Sequence, residues 1–251
     1  MTHIPIEYFA LPERIDTARR NIAFRYHPAP PGAPTIVFLP GYMSDMDGGK
    51  ATATMEWARA NKRGCLLLDY SGCGSSDGEF ANGTLTQWRD EVLALIAARA
   101  NSPVVLVGSS MGGWLMLLVA RKLGASLHAM VGIAAAPDFS QWGFDDGQKA
   151  KLAAGETVFE DNPYGPEPTP TYAKFWQDAQ QSLQLGGEIP VDVPMRLLHG
   201  QRDADVPWDI SLQLAAALRS DDVQVTLVKD GDHRLSRDTD IEALLGIYSA
   251  L

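Results

Sequence analysis

The chain has 251 residues, 45% of them apolar, and a formal net charge of −10. That length suits a single domain spanning residues 1–251 with a full core, and the charge argues against nucleic acid or an anionic membrane surface as partner. No segment is apolar for long enough to span a bilayer, and Met1 to Pro12 lacks the basic start and apolar stretch of a secretory signal. Cys65 and Cys73 fit a reduced intracellular setting better than a disulfide framework, and no metal-ligand spacing is present.

In chain order, Ile4 to Phe9 and Asn21 to Arg25 read as an initial hairpin. Strand Thr35–Leu39, helix Ala51–Asn61, strand Cys65–Asp69, helix Leu85–Ala100 and strand Val104–Val107 follow, and a helix-length apolar segment comes next, Trp114 to Ala120. Strand Leu127–Ala134, strand Met195–Leu198, helix Trp208–Leu218, strand Val223–Val228 and helix Asp240–Leu251 complete the alternation. Such alternation means an α/β fold, a mostly parallel sheet with helices on both faces. Pro137 to Pro194 breaks the pattern. Within it Gln148 to Ala154 reads as a weak helix and Tyr172 to Leu185 as one amphipathic helix. A long irregular insertion after the sixth strand, residues 138–190, is where a lid would sit. Its aromatics (Trp142, Phe144, Phe159, Tyr164, Tyr172, Phe175 and Trp176) either line an acyl pocket or pin the lid to the body.

The chemistry concentrates at Gly108-Ser109-Ser110-Met111-Gly112, between a β-branched run and an apolar helix. Strand, sharp turn and helix are the context of a nucleophile elbow: the turn lifts the Ser110 oxygen above the sheet at the positive end of a helix. A serine hydroxyl needs a histidine to take its proton and a carboxylate to orient that histidine. In this arrangement both partners follow the serine in sequence. His3 and His27 precede the elbow and fail on order. His128 starts an apolar run and reads as a strand-end residue, and His199 closes the strand Met195–Leu198. His233 lies in the polar loop Asp230 to Arg234 after a strand, where open α/β sheets carry their chemistry.

For the acid, Asp203 and Asp205 compete in the loop His199 to Pro207. Asp203 lies nearer the strand's carboxyl end and is favoured; Asp205 suits a cap of the turn before Val206-Pro207. Two backbone N–H groups for an oxyanion are expected from Met111 and from Tyr42, where Gly41 makes a tight turn after strand Thr35–Leu39. No cofactor is called for.

These blocks resemble the α/β-hydrolase superfamily over most of the chain, and within it a branch of palmitoyl-protein thioesterases and acyl-glucuronide esterases. The carrying residues are Pro40-Gly41-Tyr42 with Gly49-Lys50-Ala51, Asp69-Tyr70-Ser71-Gly72 with Gly74 to Gly78, and Val107 to Ser110 with Gly112 to Leu117. They continue in Arg196 to Gly200 with Val206-Pro207-Trp208, and in Asp232-His233-Arg234. The resemblance implies an α/β-hydrolase fold and a triad of Ser110, Asp203 and His233, taking Asp203 over Asp205 because the acid stands four residues after the histidine of His-Gly. It implies a small acyl ester or thioester as substrate, an S-acylated protein included. The branch's mitochondrial presequence is absent, which points to a bacterial, cytoplasmic relative, and the lid departs from the branch. A peptidase or amidase of the same fold, and a non-catalytic hydrolase-fold binder, are the competing readings.

Overall fold

Runs that are apolar on both faces can sit only inside a sheet covered by helices on both sides. The computed structural model describes residues 4–13, 15, 19–163 and 165–251; His3, Tyr164 and the first residues of the Met1 to Pro12 stretch lie outside them. The strands are β1 (Glu7–Ala10), β2 (Asn21–His27), β3 (Thr35–Leu39), β4 (Gly64–Leu68), β5 (Val104–Ser109), β6 (Leu127–Ile133), β7 (Val158–Glu160), β8 (Thr169–Thr171), β9 (Met195–Gly200) and β10 (Val223–Val228). The α-helices are α1 (Gly49–Ala60), α2 (Leu85–Arg99), α3 (Met111–Leu123), α4 (Phe139–Trp142), α5 (Asp146–Ala153), α6 (Ala173–Gln180), α7 (Asp209–Ala217) and α8 (Asp238–Ser249). Among the described residues the main sheet has eight strands, in the order β1–β2–β4–β3–β5–β6–β9–β10. β1 and β2 pair antiparallel as the expected hairpin and β2 runs antiparallel to β4, while every pairing from β4 to β10 is parallel. This is the α/β-hydrolase fold.

The period of two along each inner strand splits the core into two layers. Val37, Leu66, Leu106, Met130 and Leu197 face one side with α2, α3 and α6, where Trp88, Trp114 and Phe175 are the large fillers. Ile36, Leu67, Val107, Val131 and Leu198 face the other, against Met55 of α1 and Leu244 and Tyr248 of α8. After β3 the chain crosses to β4 on one side, and β5 returns on the other. That switch leaves a crevice outside the carboxyl ends of β3 and β5. No helix among the described residues is long and apolar enough to cross a membrane.

The segment between β6 and β9 differs from expectation in two ways. The helix expected over Tyr172 to Leu185 ends at Gln180. Beyond it the buried Asp138 carboxylate draws the Gln184 and Leu185 N–H groups into hydrogen bonds of 2.7–3.0 Å, and Trp114 Nε1–H donates to the Ser182 carbonyl at 2.9 Å. These contacts redirect the backbone out of helical register. The segment also contains α4 and the short antiparallel pair β7–β8, which no periodicity announces in so Pro-rich a stretch. The weak helix is present as α5, entered through a capping box of Asp145 and Gln148.

At the β5–α3 turn a methyl group on Gly112 would overlap the Leu39 carbonyl oxygen, and one on Gly108 the Gly112 carbonyl oxygen. Gly112→Ala is expected to destabilise the fold by about 3 kcal/mol or more. Gly246→Ala, on the exposed side of α8 with open space around it, is expected to stabilise it by roughly 0.5–1 kcal/mol. Urea unfolding of both variants measures the contrast.

Candidate active site

Ser110 sits between β5 and α3 with φ of 54° and ψ of −123°, a backbone region that costs a non-glycine residue about 1–3 kcal/mol. Hydrogen bonds over-determine it: Ser110 N–H donates to Ile133 O at 2.9 Å, and its carbonyl accepts from Gly113 and Ala136 N–H at 2.8 and 3.0 Å. The side chain therefore stands at the edge of the sheet, with Met111 N–H at the first position of α3, where intrahelical partners are lacking. The loop after β3 presses against it. A methyl on Gly41 would lie 3.3 Å from Ser110 Cβ, so Tyr42 follows directly beside the serine. Tyr70 O–H holds the Pro40 carbonyl at 3.0 Å, and the buried Asp69 carboxylate accepts Met46 N–H at 2.7 Å.

His233 comes from the loop after β10 and Asp203 from the loop after β9. Ser110 Oγ lies 3.1 Å from His233 Nε2, and His233 Nδ1 lies 2.8 Å from Asp203 Oδ2. A carboxylate only accepts, so Nδ1 bears the hydrogen and Nε2 is left to accept from the serine hydroxyl. Asp203 Oδ1 accepts the N–H groups of Asp205 and Val206 at 2.9 and 2.8 Å. Burial of Asp203 works to raise its pKa, yet hydrogen bonds from His199 and His233 outweigh it and hold the carboxyl well below the usual carboxylate range. Asp205 gives its backbone N–H to Asp203, while its exposed side chain borders the pocket. Of the other histidines, His128 is exposed at the start of β6 and His27 lies half-buried on β2. His199 is fully buried and touches Asp203 Oδ2 at 3.1 Å. Reading His199 as a strand-closing residue misses this contact; the signal available was its spacing of four residues before the acid at a strand's carboxyl end.

Asp203, Asp205 and His233 could each bring one ligand atom to a cation. Asp203 is already saturated by N–H donors and His233 Nδ1 faces it, which accounts for the cluster without a metal. Both cysteines are buried free thiols, and burial pushes the Cys73 thiol up to about 12.

A cavity of about 800 Å³ opens over Ser110 and His233. Ala136, Phe139, Trp142, Phe144 and Val206 give it apolar walls, while Lys50, Glu160, Asp161 and Asp205 contribute charge. The Lys50 ammonium donates to the Arg234 carbonyl, and burial lowers its pKa. The segment between β6 and β9 thus contributes three aromatics to the cavity, whereas Phe175 is core and Phe159 is 62% exposed. Tyr42 joins the two parts: its hydroxyl donates to Pro170 O at 3.0 Å, and its ring packs on Phe80 and Phe175 with centroids 4.9 and 5.0 Å away.

Comparison with known proteins bears on this geometry. A profile of the Alpha/beta hydrolase family matches residues 36–245. Palmitoyl-protein thioesterase ABHD10, mitochondrial, of Homo sapiens is 38% identical over 222 residues, covering 85% of this chain and 71% of that protein. Among solved structures, a putative hydrolase from Agrobacterium vitis S4 superposes with a TM-score of 0.92 at 35% identity, covering 99% of both chains. Alpha/beta hydrolase domain-containing protein 10 from mouse superposes with a TM-score of 0.88 at 34% identity, over 98% of this chain and 97% of that one.

The depressed pKa of Asp203 has a consequence for stability. A carboxyl with a folded pKa below its unfolded value, about 3.9, contributes stability above that pH and loses it as pH falls toward the folded value. Asp203→Asn is therefore expected to unfold more readily than the parent at pH 5–6, with the gap narrowing progressively below about pH 4. Denaturant titrations at a series of pH values read the gap directly.

Proposed function

The chain belongs to the alpha/beta hydrolase family, and on that premise we propose that it is a serine hydrolase cleaving carboxylic ester or thioester bonds through an acyl-enzyme. The observation that carries the reading is the unbroken hydrogen-bonded line from Ser110 through His233 to Asp203, rising from three different loops at the sheet's carboxyl edge. Ser110 is the nucleophile. His233 takes its proton as the oxygen attacks the acyl carbonyl and returns it to the leaving alcohol or thiol. Asp203 keeps the imidazole in the Nδ1–H tautomer and stabilises the imidazolium. The N–H groups of Tyr42 and Met111 receive the oxyanion, each such donor being worth roughly 3–4 kcal/mol in the transition state. Water then follows the same route and releases the acid.

The apolar wall of Phe139, Trp142 and Phe144 favours an acyl group over a peptide, and residues 138–190 act as the lid that brings this wall over the nucleophile. The name of the human relative, a palmitoyl-protein thioesterase, supports a thioester of an S-acylated protein as one substrate class. Free small esters are the other.

A fluorophosphonate probe is expected to label the parent protein and not Ser110→Ala, whose turnover falls by about a millionfold. Asp203→Asn is expected to lose about 10⁴ in kcat, and Asp205→Asn far less. Equal losses in the two aspartate variants would sink the assignment of the acid. Across acetyl to palmitoyl esters and matched thioesters, kcat/KM is expected to rise several-fold and up to about fifteen-fold per added carbon pair until the cavity fills, the upper figure corresponding to about 0.8 kcal/mol per fully buried methylene. A flat series would remove the acyl pocket. Amide cleavage without ester cleavage would make the protein a peptidase, and no labelling at all a binding protein.

A further inference from the structure

The hydrogen-bonded line does not stop at Asp203. His199, near the end of β9, is fully buried, and its Nε2 lies 3.1 Å from both Asp203 Oδ2 and the Val206 carbonyl oxygen. Neither oxygen can donate, so Nε2 carries the hydrogen. On the far side of the ring, Nδ1 lies 2.7 Å from Ser211 Oγ of α7, which is itself buried. The two acceptors at Nε2 thus fix the tautomer, and the Ser211 hydroxyl, which can donate or accept, donates to Nδ1 and holds the ring's far side. The histidine is thus oriented from a helix and aimed at the acid from a strand.

We infer that His199 is a positioning residue for the proposed reaction: through its Nε2–H it fixes the Asp203 oxygen that receives the His233 N–H. The inference rests on the Ser110–His233–Asp203 reading. Its physical basis lies in what the two carboxylate oxygens meet. Among the described residues, Oδ1 is held by N–H groups two and three residues further along its own loop, those of Asp205 and Val206. Such a local turn holds one oxygen and leaves the carboxylate plane to swing with the loop, whose residues 204 and 205 are exposed. Oδ2 is the oxygen that matters to His233, and His199 is the group from the rigid sheet that pins it. A leucine would fill the same buried space but offers no donor. Packing alone therefore does not account for an imidazole here, with every polar atom engaged.

The test compares His199→Leu, His199→Gln and Ser211→Ala with the parent, using ester turnover per active site counted by fluorophosphonate labelling to completion. His199→Leu is expected to lose about 10–100-fold in kcat with KM within about twofold, the size of one hydrogen bond to a charged group. His199→Gln, whose amide N–H can reach the same oxygen, recovers most of that loss. Ser211→Ala loses less than His199→Leu. In the unmodified protein, ¹⁵N–¹H correlation spectra of the imidazole are expected to report the Nε2–H tautomer for His199. Parent-like kcat per site in the leucine variant, a glutamine variant no better than leucine, or an Nδ1–H tautomer would each overturn the inference. Should the leucine variant fail to fold, the glutamine variant and the spectra decide. A parent protein that the probe never labels at Ser110 would instead overturn the serine reading on which the inference stands, a separate result.

Discussion

Three backbones meet at Ser110 with no room for side chains between them, and the rest of the site depends on that close approach. β5 must end and α3 begin within one residue, and the loop after β3 must pass over the same point. The arrangement forces Ser110 to a positive φ. Hydrogen bonds with Ile133 of β6, Gly113 of α3 and Ala136 just after β6 then lock it there. Because β3 and β5 are neighbours in parallel register, the turn after one and the turn after the other lie on the same edge. The topology thus brings Tyr42 to Ser110 from sixty-odd residues away in sequence.

Around that point, buried carboxylates organise irregular backbone. Asp69 gathers the Met46 and Ser75 N–H groups, Glu91 holds Ser71 through its N–H and hydroxyl, and Asp138 holds Gln184 and Leu185. Burial pushes the pKa of each upward despite these donors. Asp203 goes the other way, because two imidazoles as well as backbone donors converge on it. The same chemistry, a carboxylate collecting N–H groups, serves loop construction at three places and an ionised acid at the fourth. What separates them is the histidines.

The aromatics form a second continuous system. Phe175 stacks on Phe139 at 5.7 Å, Phe139 meets Trp114 of α3 edge-on at 5.5 Å, and Tyr42 touches Phe80, Phe139 and Phe175. One end of the cluster is core and the other faces the cavity. The segment between β6 and β9 is therefore seated on the body by Phe175, packed within itself by Trp176, and contributes walls through Phe139, Trp142 and Phe144. Of the aromatics expected there, Trp142 and Phe144 border the cavity, Phe175 is core and Phe159 is exposed.

Periodicity made the sheet and its helices legible, since an inner strand must be apolar on both faces and a covering helix on one. Gly108, Ser110 and Gly112 were legible because a turn with so little space admits few residue types. Chain order removed His3 and His27, and a polar loop after a strand favoured His233 over His128 and His199. Nearness to the strand's end favoured Asp203, as did the family resemblance through its His-Gly spacing, and the structure brings both within hydrogen-bond distance of their neighbours. Sequence alone did not disclose the end of α6 at Gln180, set by a carboxylate more than forty residues upstream and an indole further still. Nor did it disclose β7 and β8, which are short and carry no alternation. His199 read as a strand residue because its role lies in contacts with Ser211, Val206 and Asp203, which converge only when β9, its loop and α7 are folded together. Local spacing records what a backbone segment requires of its own residues. Which side chain orients which is decided by the tertiary structure, because hydrogen bonds act over about 3 Å and carry no memory of separation along the chain.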